Sequence, residues 1–466
     1  MVGMQVTKEE LSEKTKMCAK QQPLRIVYLT AGAGGMYCGS CLRDNTLVRF
    51  LRRTGADAQL IPFYTPLRTD ESDLSENQLF FGGIRLYLST KSRFFRRIPR
   101  RFTGWMDHRW LVNKVASRHI ETDPSQLGPL TLDMLAGHQG PLESEVNRLC
   151  QWLESQRPDL INLSNLLIAG CVSELKRRLN VPVLVTLQGD DLFLDQLPVE
   201  FRTQVIQQLR NIAGLVDGFI VNSCFYSQKM QSLLGIPPER IHQVPLGINL
   251  EGYHDLNNDP PIKRAPTIGY LARLAPEKGL HLLIESFIQL RQLPNFENAR
   301  LVIAGWNCNL KNRYLADQLA TLRSAGAEHA VELRGEVDRA GKLDFFESVD
   351  LLCVPTTYEE PKGLFALEAM AAGIPAVLPN YGVFPELGND NSGVHLVPNN
   401  DPAAISTTLA RLLADPSQRR ESGAAGRRVI QSNHSAEVMA KRTLQVYHQY
   451  CDSRFAATSA GEDASH

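Results

Sequence analysis

No stretch of this 466-residue chain approaches the roughly 20 consecutive apolar residues that a membrane-crossing helix needs. An excess of charge of either sign is also missing. The 50 Lys and Arg balance 50 Asp and Glu, so nothing draws the whole molecule toward nucleic acid and any anion site has to be local. The first segment, Met1 to Gln22, lacks a signal peptide's apolar core; a disordered lead-in over 1–22 and a cytoplasmic location are expected. The nine cysteines, scattered from Cys18 to Cys451, then read as reduced thiols. Cys38-Gly-Ser-Cys41 is the one close pair. No second pair or His pair stands at zinc spacing, so a structural zinc lacks ligands, and a redox pair or two packed thiols both remain open. The glycine loop Gly32-Ala-Gly34-Gly35 lacks the last glycine of a dinucleotide fingerprint. Tyr37 stands there and no acid closes the second strand, which argues against NAD.

What the chain does have is the composition and length of a globular protein of two or three domains, with 43% apolar residues. Short apolar strands alternate with helical segments. Arg25–Thr30, Ala58–Phe63, Asp159–Leu163, Val181–Leu187 and Gly218–Asn222 form a first set. A Pro- and Asn-rich stretch, Leu256 to Pro266, follows as the linker. Thr267–Leu271, Arg300–Ala304, Ala330–Leu333, Asp350–Val354 and Pro375–Leu378 form the second set. Alternation of this kind predicts two α/β domains, each a doubly wound Rossmann-like parallel sheet, facing a cleft at the strands' C-terminal ends. The expected boundaries are 23–256 with an insertion at 64–141, then 257–435, a helix over 436–455 crossing back to the first domain, and a disordered tail at 456–466.

Two local patterns carry chemistry. Glu360-Pro-Lys362-Gly363-Leu364 leads from a strand into a helix that holds Glu368 and ends at Gly373. A helix start with free amides suits an anion such as phosphate, and a carboxylate can accept bonds from sugar hydroxyls. Arg273 and Lys278, in the loop after the second domain's first strand, place a guanidinium and an ammonium where they can clamp a diphosphate.

These residues resemble the retaining glycosyltransferases of family 4 (glycosyl transferases group 1), which have the GT-B fold. The matching signatures are Arg273-x4-Lys278, Ala304-Gly305, Leu333-Arg-Gly335-Glu-Val337, Glu360-x7-Glu368, Ala371-x-Gly373-x-Pro375, and Gly382-Val-Phe-Pro-Glu386 with Gly393. Val244-Pro-Leu-Gly247-Ile-Asn249 resembles the family's hinge-proximal turn, and the resemblance covers residues 159 to 445. It implies that Glu360 contacts the donor sugar, Glu368 holds the ribose, and Arg273 and Lys278 bind the diphosphate. The backbone at Gly363 and Leu364 would approach the phosphates, Gly335 to Val337 would lie near the base, and Gly34 and Gly35 would let the first domain's backbone approach donor or acceptor. Gln188 stands where many members carry histidine. Asp190 is taken with it on the donor side, the alternative for Asp190 and Asp191 being a helix N-cap pair. Lys362 replaces a usual aromatic and adds a cation within reach of Glu359 or of a donor carboxylate.

The function this implies is transfer of a hexose from a nucleotide diphosphate sugar to a hydroxyl, with retention of configuration. Fixed cations replace a metal, no cofactor is needed beyond the donor as co-substrate, and the acceptor is a carbohydrate or a lipid-linked sugar. A nucleotide-sugar epimerase of the same fold and a non-catalytic nucleotide-sugar-binding or scaffold protein are the alternatives. The basic, aromatic stretch Lys91 to Trp105 offers a weak peripheral contact with the inner face of a membrane, against a packed insertion whose arginines stay solvated.

Overall fold

The computed structural model describes residues 22–32, 38–76, 78–81, 124–254, 256, 264–306, 313–388 and 392–463. Gly34, Gly35, most of the lead-in, residues 82–123 with the Lys91–Trp105 stretch, and most of the linker lie outside the described residues.

Two six-stranded parallel sheets organise the chain. The first holds β1 (Arg25–Thr30), β2 (Asp57–Pro62), β3 (Leu160–Leu163), β4 (Val183–Thr186), β5 (Gly218–Val221) and β6 (Ile241–Gln243) in the order β2-β1-β3-β4-β5-β6. The second holds β7 (Thr267–Leu271), β8 (Arg300–Ala304), β9 (Val331–Gly335), β10 (Leu351–Cys353), β11 (Ala376–Pro379) and β12 (Val394–Val397) in the order β12-β11-β10-β7-β8-β9. Central strands such as β3, β4 and β7 are buried along their whole length. That is why they read in the sequence as unbroken apolar runs and not as alternations. The strand order reverses between β1 and β3 in the first sheet and between β7 and β10 in the second. Loops leaving β1, β7 and β10 therefore open at the switch points where ligands bind in this architecture.

Of the helices, seven position the site and the domains: α1 (Gly39–Arg53), α2 (Asp190–Leu194), α3 (Cys224–Leu234), α4 (Leu280–Arg291), α5 (Arg339–Ser348), α6 (Leu364–Ala372) and α7 (Ala436–Asp463). Helix α6 begins at Gly363 and ends at Gly373, both with left-handed backbone. All its residues except Leu364 are buried. Helix α7 leaves the second domain and lies on α1 of the first. Tyr447 is fully buried, the Tyr450 hydroxyl meets His242 Nε2 at 2.8 Å, and Cys451 points its thiol at the Asp159 carbonyl. The helix runs to Asp463, past the point where a disordered tail is expected from composition. A single apolar cluster joins Ile26, Tyr28 and Leu184 of the first sheet to Ile268, Leu352 and Val377 of the second, with Met439 and Tyr447 of α7 in the same cluster.

The chain crosses between domains twice, and the crossings are bonded to each other. The Ile248 amide donates to the His434 carbonyl (2.9 Å), and the Ala436 amide donates to the Ile248 carbonyl (2.8 Å). His434 Nδ1 also lies 2.8 Å from the Leu246 carbonyl.

Candidate active site between the two domains

The loop from β10 to α6 carries the first carboxylate. Glu360 is buried, and its Oε2 accepts from Lys278 Nζ at 2.6 Å and from the Tyr358 hydroxyl. Oε1 faces the backbone amides of Lys362 and Gly363 at 3.3 and 3.4 Å, so the carboxylate sits over the start of α6. Burial pushes its pKa up, but the Lys278 ammonium, the Tyr358 hydroxyl and Lys362 outweigh it and hold the carboxyl at about 2. The result is a fixed anion. Gly279 makes the approach of Lys278 possible: its φ is +73°, and a Cβ there would come within 1.7 Å of the Pro355 carbonyl oxygen at the end of β10.

The second carboxylate is Glu368, on the buried helix α6. A charge there needs a partner, and Lys342 of α5 supplies it at 2.6 Å. Lys342 is also 2.6 Å from Asp70 of the first domain. Two carboxylates thus share one ammonium across the domain boundary. Burial raises the Glu368 pKa above the usual carboxylate range, while for Lys342 the attraction of Glu368, Tyr253 and Asp70 outweighs burial and keeps the cation. These groups line a cavity of about 150 Å³ between the domains, together with Cys38, Trp306 and Val337. The carbonyl of Gly335 receives the Gly305 amide, and its φ of +67° turns the chain so that Glu336 and Val337 reach the cavity.

Not every expected partner is gathered here. Arg273 does not join Lys278 in a clamp. Its guanidinium turns to Glu277, and the side chain is about half exposed. Lys362 does not pair with Glu359. It donates to Ser40 Oγ at the start of α1 (2.5 Å), and Glu359 instead receives Lys229 of α3 at 2.9 Å. Asp190 and Asp191 do not cap α2 with their side chains, since Gly189 occupies the cap position. Asp190 accepts from the Leu166 amide (3.0 Å), and burial pushes its pKa up to about 7. Asp191 accepts from the Tyr226 hydroxyl and pairs with Lys229, each at 2.8 Å. Gln188 donates to Asp44 and to the Ser164 carbonyl, both at 2.9 Å, within the first domain's buried network. Sequence reasoning passed over Asp70, Lys342, Trp306 and Tyr358. Of these only Tyr358 carried a local signal, a phenol two residues from Glu360 in the loop that follows β10.

Two family models match adjacent segments that together span most of the described chain: Glycosyltransferase Family 4 over residues 132–251 and Glycosyl transferases group 1 over residues 255–429. The chain belongs to the group 1, family 4 glycosyltransferases. Its likeness to a phosphatidyl-myo-inositol mannosyltransferase of Mycobacterium leprae is 30% identity over 210 residues, 44% of this chain and 52% of that one. The matched region thus spans about half of that relative. With the glycogen synthase of Mycobacterium tuberculosis the identity is 28% over 301 residues, 63% of this chain and 69% of that one. Among solved structures, the sucrose-phosphate synthase of Thermosynechococcus elongatus superposes with a TM-score of 0.66 at 19% identity, covering 93% of this glycosyltransferase and all of that chain. Anabaena HepE in complex with UDP and glucose superposes at 0.61 and 17% identity, covering 91% and 99%. These likenesses bear on the fold, which is GT-B, two Rossmann-like domains facing a cleft. Among the described residues of this glycosyltransferase, no helix is long and apolar enough to cross a membrane.

Proposed function

We propose that the protein transfers a hexose from a nucleotide diphosphate sugar to a hydroxyl of a carbohydrate or lipid-linked acceptor, with retention of configuration and without a metal ion. The observation that carries this reading is the pair of buried carboxylates, Glu360 at the start of α6 and Glu368 within it, each held by a lysine. Glu368, in the cavity beside Trp306 and Val337, would accept from the ribose hydroxyls, with the base toward Val337. Glu360, fixed as an anion, would face the transferred sugar and stabilise the positive charge that grows on its ring in the transition state.

The diphosphate would lie against the start of α6 at Gly363 and Leu364, where backbone amides and the helix dipole favour an anion. Lys278 stands beside that start, and Arg273 would swing from Glu277 to the phosphates. Leaving-group charge is then met by fixed and mobile side-chain cations in place of a metal. The acceptor oxygen attacks the face from which the diphosphate departs, and a donor phosphate oxygen takes its proton. Lys362, held by Ser40 on the first domain, would meet the donor sugar or its carboxylate. The inner membrane face as a place of weak contact is also a proposal, resting on the charge pattern of Lys91 to Trp105.

The test is a panel of nucleotide diphosphate sugars measured by calorimetry, then turnover with and without EDTA. Tight binding of one donor and acceptor-dependent release of nucleoside diphosphate in EDTA support the reading. An epimerised nucleotide sugar as product, binding without turnover, or activity that returns only with Mg²⁺ or Mn²⁺ would each count against it.

A further inference from the structure

Cys38 and Cys41 stand at the N-terminus of α1, directly across the cleft from the start of α6. Cys38 occupies the cap position with extended backbone (φ −125°, ψ 123°), and Cys41 lies in the first turn. The two thiols differ in access. Cys38 is half-buried and lines the same cavity as Lys342, Glu368 and Leu364, whereas Cys41 is 2% exposed in the first domain's core. A Cβ on Gly39, between them, would lie 3.5 Å from Leu364. Ser40 holds the Lys362 ammonium at 2.5 Å, which brings a cation to the same turn.

The Cys41 thiol and the Lys362 charge act on the Cys38 sulfur, whose side chain makes no cap hydrogen bond to the helix amides. Together they outweigh burial and hold the Cys38 thiol well below its usual range. The same bond and burial keep Cys41 protonated. Elsewhere among the described residues the thiols are of another kind. Cys150, Cys171 and Cys353 are buried with their pKa values pushed up, Cys451 is buried against the Asp159 carbonyl, and Cys224 is exposed and donates to Gln243.

We propose that Cys38 and Cys41 form a reversible dithiol–disulfide couple in the wall of the cleft, with Cys38 as the attacking thiol and Cys41 as the resolving one, oxidised by small-molecule disulfides. The Cys38 sulfur attacks one sulfur of RSSR, the S–S bond breaks, and one RSH leaves after protonation. Cys41 then gives up its proton and attacks the Cys38 sulfur of the mixed disulfide, and the second RSH leaves. Dithiol and RSSR become protein disulfide and two RSH, so the two protons of the dithiol and the electron pair from its sulfurs are accounted for. The link to function rests on the reading of this cleft as the nucleotide site. A nucleotide bound against Leu364 would cover Cys38 and slow its chemistry.

The test uses the full chain. Reduced protein at neutral pH is alkylated with iodoacetamide and the labelled peptides are followed by mass spectrometry. Cys38 is expected to react about tenfold or more faster than the exposed Cys224, because thiolate and not thiol is the nucleophile. Oxidised glutathione should link the Cys38 and Cys41 peptides in the wild type, and dithiothreitol should separate them. Cys41→Ser should stop at glutathione attached to Cys38, and Cys38→Ser should leave Cys41 unmodified. Wild-type protein that forms no Cys38–Cys41 link, or whose Cys38 labels no faster than Cys224, overturns the couple even if the variants fail to fold. These readouts need no nucleotide. They therefore fail independently of the functional reading, which falls if the reduced protein binds no nucleoside diphosphate by calorimetry. With a nucleotide that does bind, saturation should slow labelling at Cys38 several-fold and leave Cys224 unchanged; equal slowing at both, or none, removes the link between the couple and the nucleotide.

Discussion

Lys342 lies 2.6 Å from Glu368 on its own domain and 2.6 Å from Asp70 on the other, so one buried ammonium joins the carboxylate of α6 to the opposite wall of the cleft. The other carboxylate, Glu360, is held within the second domain alone, by Lys278 and the Tyr358 hydroxyl. The site is therefore two cation–carboxylate units a few residues apart in the chain, with different surroundings and separable effects.

Substitution at the two carboxylates should divide binding from turnover. Glu368→Gln removes an acceptor for the ribose and should weaken nucleoside diphosphate and nucleotide sugar alike, by about tenfold or more, since bonds to charged groups contribute roughly 1.5–3 kcal/mol. Glu360→Gln should leave nucleoside diphosphate affinity within a few-fold and lower kcat. Calorimetry with both ligands, beside single-turnover rates, checks this. The reverse pattern would mean that the roles are exchanged.

Removing Lys278 should cost stability as well as activity. Lys278→Ala leaves Glu360 buried without its cation, a change expected to lose about 3 kcal/mol or more. Adding Glu360→Gln removes the orphaned charge and should restore part of the loss. Urea unfolding of the two single variants and the double variant gives the coupling. Additive effects would contradict a bonded pair.

Arg273 should behave in the opposite way. Its partner is Glu277, one turn away on a half-exposed surface, and such a pair contributes less than about 0.5 kcal/mol. Arg273→Ala should thus leave the unfolding midpoint nearly unchanged while weakening nucleoside diphosphate by about tenfold. Unchanged calorimetric affinity would remove Arg273 from the phosphate site.

Asp190 should impose a pH dependence on stability. Its folded pKa of about 7 lies above the ordinary value of 3.8, so folding favours the protonated acid. Its contribution is most favourable below the unfolded pKa and is lost as pH rises toward the folded one. The slope is at most about 1.4 kcal/mol per pH unit for one group. Asp190→Asn should flatten the fall in urea midpoint between about pH 4 and about pH 7. A variant whose midpoint falls as steeply as the wild type would show that Asp190 is ionised in the fold.

The fold was legible where burial is complete. Strands β1, β7 and β8 have the bounds expected from their apolar runs. Strands β6, Ile241-His-Gln243, and β12, Val394-His-Leu-Val397, gave no such run. They are edge strands, partly exposed, and their patterns are mixed. The site divides in the same way. Glu360, Gly363 and Glu368 fall within one loop and helix, so their spacing alone brought them together. Asp70 and Lys342 meet only because the domains face each other, and no local pattern marks either. The geometry of Arg273 was not legible, since its nearest acid, Glu277, is itself part of the loop that suggested the clamp.

The paired crossings at Ile248 and Ser435 act as a single spine. Two separate linkers would let one half slide or twist past the other, each strand flexing on its own. Here the strands are laced by backbone bonds of about 1 kcal/mol each. Swinging the halves apart like the covers of a book leaves the lacing intact, whereas shearing them strains it. A rocking about that spine would part Lys342 from Asp70 and Lys362 from Ser40 in the same movement.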